Sequence, residues 1–161
     1  MSPRSLILAG FGFLALAVIL FWLFQGQAGS GSPVVVNGTA VPPLPALDRS
    51  AAARGEPLYL QHCAACHGID LSGAPDWKTP LQDGSFPAPP HDDDGHTWHH
   101  PDFQLMQIVA EGGASYGGTM PGFAGQLSPD EMDDILEYIK SRWGSESREY
   151  QWWITNVRPG P

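Results

Sequence analysis

Apolar positions change their spacing four times along the chain. Leu6 to Phe24 is a run of 19 residues without a charge. As a helix rising about 1.5 Å per residue it nearly crosses a hydrocarbon layer of about 30 Å, whereas the core of a secretory signal is only about 7–15 residues long. Residues 1–25 are therefore expected to be a single transmembrane anchor, with a cleaved signal ending near Gly26-Gln27-Ala28 as the competing reading. Residues 26–47 carry Gly-Ser-Gly-Ser-Pro and then Pro42-Pro43-Leu44-Pro45, which read as a tether that is flexible first and stiffer later. Val34 to Val36 suggests one short strand with no evident partner.

Residues 48–144 are expected to form one domain, and their periodicity is helical. Asp48 or Ser50 can cap a first helix running from about Arg49 to Ala64, with Leu58 and Tyr59 opening its apolar face. Gly68 to Trp98 is dense in Pro, Gly and Asp and predicts loop. A second helix is expected near Pro101, carrying Phe103, Leu105, Met106, Ile108 and Val109 and ending at Gly112-Gly113. Ser128-Pro129-Asp130-Glu131 combines a capping box with a proline at the first helical position. Met132, Ile135, Leu136, Ile139 and Trp143 then form a stripe at helical spacing. Residues 145–161 predict a short extra helix, Ser145 to Val157, with Tyr150, Trp153, Ile154 and Val157 on one side. The fold class expected is all-α, about three main helices preceded by one transmembrane helix.

Charge and cysteine content narrow the chemistry. A formal net charge of −9 argues against a nucleic-acid partner. Arg4 precedes the apolar run, and the next Lys or Arg is Arg49, so the positive-inside bias puts the amino terminus in the cytoplasm and the domain outside. Both cysteines of the chain lie in Cys63-Ala64-Ala65-Cys66-His67. Two thiols three residues apart can add to the two vinyl groups of a haem, and the adjacent His67 can then ligate its iron. A zinc site would need further ligands, usually a second cysteine pair, and a thioredoxin-like site would need a βαβ pattern. The sequence has neither.

The second axial ligand is expected to be Met120, in Gly117-Gly118-Thr119-Met120-Pro121-Gly122-Phe123-Ala124-Gly125, where glycines let backbone approach a flat ring. Met106 and Met132 fall in helical stripes and read as core. His/Met ligation raises the potential relative to two histidines.

On these residues, Arg54 to Arg142 resembles a class I c-type cytochrome. The features shared are Gly55 with Tyr59, the Cys-Ala-Ala-Cys-His motif, Gly73-Ala74-Pro75, Met120 with Phe123-Ala124-Gly125, and Ile135 with Tyr138. The resemblance implies a cytochrome c fold around one covalent haem c. It implies that Gly55 meets the Tyr138 face of the last main helix, and that the Pro75 carbonyl accepts the other ring hydrogen of His67.

The segment from Pro87 to His100 departs from small soluble members and resembles bacterial membrane-anchored cytochromes linked to respiratory oxidases. Its four histidines and three aspartates could bind copper or zinc. The preferred reading is a loop over the haem edge in which Trp98 and a histidine donate to the propionates.

The function implied is not enzymatic. A six-coordinate iron leaves no open position, which suits a one-electron carrier between a quinol-oxidising membrane complex and an oxidase or other acceptor. The expected location is the bacterial cytoplasmic membrane, single-pass, with the haem domain periplasmic. The alternatives are a haem peroxidase or gas sensor in which Met120 leaves the iron, and a cytochrome subunit with a metal-handling role.

Overall fold

The computed structural model describes residues 34–36, 38–158 and 160. The anchor expected at 1–25 lies outside these residues. Among the described residues no helix is long and apolar enough to cross a membrane.

Among the described residues five α-helices carry the fold: α1 (Arg49–His62), α2 (Ala64–His67), α3 (Asp102–Glu111), α4 (Pro129–Ser141) and α5 (Ser145–Val157). Three of them begin or end on clear local chemistry. Asp48 Oδ1 accepts from the amides of Ser50 and Ala51, at 2.9 and 3.0 Å, and so starts α1. Ser128 and Glu131 close the reciprocal capping box of α4 behind Pro129. Pro101 serves as the cap of α3 rather than its first residue, and Gly112, at φ 94°, ends that helix. The expected first helix is broken at Cys63, which separates α1 from the single turn of α2.

The core sits where α1 crosses α4. Tyr59, Leu71 and Ile135 are fully buried there, with Met132, Tyr138, Ile139, Trp143, Phe123 and Leu127 around them. Gly55 is the crossing point. A Cβ built on it would lie 1.9 Å from the Asp134 carbonyl oxygen and 2.9 Å from the Ile135 nitrogen. The contact is with the backbone at Asp134, one turn before Tyr138. Tyr138, on the same face of α4 as Asp134, packs on Tyr59, with ring centroids 5.3 Å apart. Beside the crossing, Arg54 donates to both carboxylate oxygens of Asp134, at 2.8 and 2.6 Å.

Two expectations about the flanks need correction. Val34–Val36 does have a partner: it pairs antiparallel with Thr39–Val41, as strands β1 and β2, with Val36 opposite Thr39. In the sequence the two residues between the strands are Asn-Gly, a dipeptide that favours tight hairpins. Gly38 has φ 81°, the conformation such a turn requires. The stretch from Val41 to Leu47 is also laid against the tail rather than free. Val41 is buried, Trp152 Nε1 donates to the Pro42 carbonyl at 2.8 Å, and Arg148 Nη2 donates to the Pro45 carbonyl at 3.2 Å.

Helix α5 has the predicted bounds but a different buried face. Ser147, Gln151 and Ile154 point inward, while Tyr150 is 40% exposed. The surface that receives them is polar, which explains the rotation. Gln151 Nε2 donates to Asp102 Oδ1 at 2.6 Å, and the Asp102 amide donates to Thr155 Oγ1 at 3.1 Å. Deleting residues 145–161 is expected to lower the melting temperature by several degrees, since about 1 kcal/mol shifts a domain of this size by ~4 °C. Thermal unfolding followed by circular dichroism checks this, and an unchanged midpoint would remove the tail from the stability of the domain.

Candidate haem site

Helix α2 carries Cys66 and His67, and Cys63 is its N-terminal cap. The amides of Cys66 and His67 both donate to the Cys63 carbonyl, at 3.1 and 3.0 Å, which winds the motif into one turn. Cys63 is partly buried against the core and Cys66 is exposed, and both are free thiols. Burial pushes the Cys63 thiol up to about 11, with a smaller contribution from the neighbouring Cys66.

His67 is buried, and its Nδ1 lies 2.8 Å from the carbonyl oxygen of Pro89. A carbonyl only accepts, so Nδ1 carries the hydrogen and Nε2 keeps its lone pair. This second partner fixes the tautomer that metal ligation needs. Burial holds the imidazole below the usual histidine pKa, and the Pro89 bond opposes that shift in part. The ring is therefore neutral and ligand-ready.

The residue expected in this place was Pro75, and the structure puts Pro89 there instead. Pro75 is exposed. The loop returns on itself: the Gly73 amide donates to the His67 carbonyl at 2.8 Å, Ala74 to Ala88 at 2.8 Å, and His91 to Leu71 at 2.8 Å. Those contacts bring the Pro89 carbonyl, 22 residues along the chain, to the His67 ring.

Met120 is partly buried and packs against the same core cluster as Cys63 and Trp98. Its backbone is pinned to the end of α3, because the Gly113 amide donates to its carbonyl at 2.9 Å. The following residues are pinned too, with Phe123 donating to Val109 at 2.9 Å and Ala124 to Ala110 at 3.1 Å. A Cβ on Gly112 would lie 2.7 Å from the Met120 carbonyl oxygen, and one on Gly122 would lie 2.7 Å from that of Ala110. The glycines thus allow the methionine loop to lie directly on the helix end. Met132 is buried in the core as expected, and Met106 packs against it.

In the histidine loop, Trp98 Nε1 donates to the Asp93 carbonyl at 3.3 Å, so its N–H is engaged within the loop itself. Asp93 is also structural: its carboxylate accepts from the Gly144 amide at 2.9 and 3.0 Å, at the start of α5. His96 stacks on Trp77, with centroids 5.1 Å apart. His91 stacks on His67, with centroids 4.0 Å apart, and is sequestered enough that its pKa is held well below the ordinary value. Among the described residues no group of three or more His, Cys, Asp or Glu side chains is arranged to hold a metal ion.

Comparison with protein families matches residues 52–143 to Cytochrome c. The chain belongs to the class I c-type cytochrome family. It is 25% identical over 122 residues to the cbb3-type cytochrome c oxidase subunit FixP of Sinorhizobium medicae, a match covering 71% of this chain and 38% of that protein. It is 31% identical over 100 residues to the cytochrome c subunit of the quinone alcohol dehydrogenase of Gluconobacter oxydans, covering 58% of this chain and 19% of the subunit. It is 30% identical over 115 residues to the dihydro-heme d1 dehydrogenase of Pseudomonas aeruginosa, covering 71% of this chain and 20% of that protein. The cytochrome thus spans well under half the length of these relatives.

Membership implies covalently bound haem c, and the residues present fit it. The two thiols lie on one turn with a neutral imidazole beside them. The donor set is a thiol pair for the vinyl groups and a nitrogen whose tautomer is already fixed.

Proposed function

We propose that this cytochrome is a one-electron carrier of a bacterial respiratory or related electron-transport chain, with one haem c attached through Cys63 and Cys66 and ligated by His67 and Met120. The observation that carries the reading is the 2.8 Å contact of His67 Nδ1 with the Pro89 carbonyl, immediately beside the cysteine pair. It commits one ring nitrogen and orients the other toward a metal. A bound haem supplies reversible one-electron chemistry at its iron. This chain's part is to hold the imidazole neutral and immobile and to present Met120 on a loop tied to α3.

The names of the relatives place such domains in oxidase and dehydrogenase complexes, which supports membrane-embedded donors and acceptors as partners. Exposed apolar side chains close to the attachment turn suit brief contacts with them: Ile69 is 76% exposed and Leu60 46%. We place the domain on the periplasmic side of the cytoplasmic membrane, held by residues 1–25, because the uncharged run is long and its positive flank lies at Arg4.

The ligand assignment is tested by Met120→Leu. The oxidised wild-type protein should show a weak methionine–iron charge-transfer band in the red. The variant should lose that band while keeping covalent haem in a pyridine haemochrome assay. Retention of the band would mean that a different side chain holds the sixth position.

A further inference from the structure

We propose that His91 is a positioning residue for the iron ligand: its ring, stacked on one face of His67, sets the plane of the metal-binding imidazole. The inference rests on the reading of His67 as that ligand. It starts from what the Pro89 contact leaves undone. One hydrogen bond to a carbonyl has a broad angular tolerance, so it fixes the Nδ1 end of the ring while allowing the plane to rock. A second restraint must come from the faces of the ring.

His91 supplies that restraint. The two rings lie 4.0 Å apart, inclined by only 20°, so the contact is face to face. A flat wall is useful only if it cannot move, and His91 is held at three points. Its amide donates to the Leu71 carbonyl at 2.8 Å. Its carbonyl accepts from Trp143 Nε1 at 2.7 Å, which ties it to the chain two residues beyond α4. Its Nδ1 lies 2.8 Å from Thr97 Oγ1.

The Thr97 hydroxyl also lies 3.3 Å from the Pro90 carbonyl, so the partner of the His91 ring is itself held against the loop backbone. The edge of Tyr59 closes the remaining side, with centroids 6.3 Å apart and planes at 71°. Pro89, Pro90 and His91 are consecutive, so one short segment both orients the Nδ1 of His67 and walls its face.

The consequence for electron transfer is preorganisation. If the imidazole plane is held by the protein, the ligand field changes little between the two oxidation states, and little structure must rearrange when an electron arrives. The plane of an axial imidazole is also directly readable. It governs how unpaired spin spreads over the ferric porphyrin, and so the order and spread of the haem methyl resonances.

The experiment compares proton spectra of the ferric holoprotein for wild type, His91→Phe and His91→Ala. Phenylalanine keeps a flat ring against His67 and loses the Thr97 bond. Alanine removes the wall. The expected result is a wild-type-like methyl pattern in His91→Phe and a contracted or reordered pattern in His91→Ala. If His91→Ala does not retain haem, His91→Leu replaces it, since leucine fills the volume without a flat face.

An unchanged methyl pattern in the variant lacking the ring overturns the proposal. So does a pattern altered equally by Phe and by Ala or Leu, which would point to the Thr97 bond rather than the stacked face. Failure of the ligand reading looks different: the wild type would then lack a low-spin ferric signal, or His67→Ala would retain it.

Discussion

Gly55→Ala should destabilise the holoprotein by about 3 kcal/mol or more, at the upper end of the range for overpacking a core. One methyl group suffices because nothing at the crossing can yield. The new Cβ would sit 1.9 Å from the Asp134 carbonyl oxygen and 2.4 Å from its carbon, and both atoms belong to the backbone of α4. Relief requires α1 and α4 to separate. Separation would loosen Tyr59 from Tyr138 and expose Ile135, which is 1% accessible. It would also pull apart the Arg54–Asp134 pair beside the crossing. Guanidinium unfolding, followed by helix signal and haem absorbance together, measures the loss. A midpoint within error of wild type would show that the helices do not meet at Gly55.

Gly112→Ala should act on the site more than on the fold. The residue sits at φ 94°, where a side chain is strained, and its Cβ would lie 2.7 Å from the Met120 carbonyl oxygen and 2.9 Å from the Gly122 nitrogen. Strain at such a position costs about 1–3 kcal/mol. Here the neighbour that must move is the backbone of Met120 itself, together with the Gly113–Met120 hydrogen bond. The expected outcome is a loss of about 2 kcal/mol in stability together with a weakened methionine–iron band that fades at lower denaturant than in wild type. Gly117→Ala is the control, because no atom lies within 4 Å of its added Cβ although its φ is also positive. If both variants affect the band equally, backbone strain alone explains the loss, and the contact with Met120 does not.

These expectations show which kinds of information the sequence carries. The Cys63-Ala64-Ala65-Cys66-His67 motif stands out because the chemistry proposed for it fixes the spacing of its residues. The capping box at Ser128 and the glycine end of α3 were legible because their partners lie within a few residues. Pro89 was not. Its carbonyl reaches His67 through a chain of loop contacts at Gly73, Ala74 and His91, and no local pattern announces which of several prolines will arrive. The Gly-Ala-Pro at 73–75 attracted the assignment because the family resemblance puts a proline of that role there. The wall formed by His91 was hidden for the same reason. The buried face of α5 was misread because periodicity assumes an apolar partner, and α5 meets Asp102 and the His100 carbonyl through Gln151. The hairpin at 34–41 was missed because its second strand is three residues long, and its Asn-Gly connection was the signal available.

The pinning of Pro42 and Pro45 to the tail changes the leash arithmetic. Taken as slack, the 22 residues from 26 to 47 extend to roughly 70 Å. With Val41 onward fastened to α5, and the ends of the hairpin side by side, only residues 26–33 add length, about 28 Å at full stretch. Under the anchor proposed for residues 1–25, the volume open to the domain shrinks roughly fifteen-fold, and the local concentration at any site still within reach rises in proportion. The same fastening fixes which side of the domain the leash leaves from. With that anchor, the domain would swing about a short arm from its α5 side rather than tumble on a long cord, so it would miss distant acceptors and meet adjacent ones repeatedly.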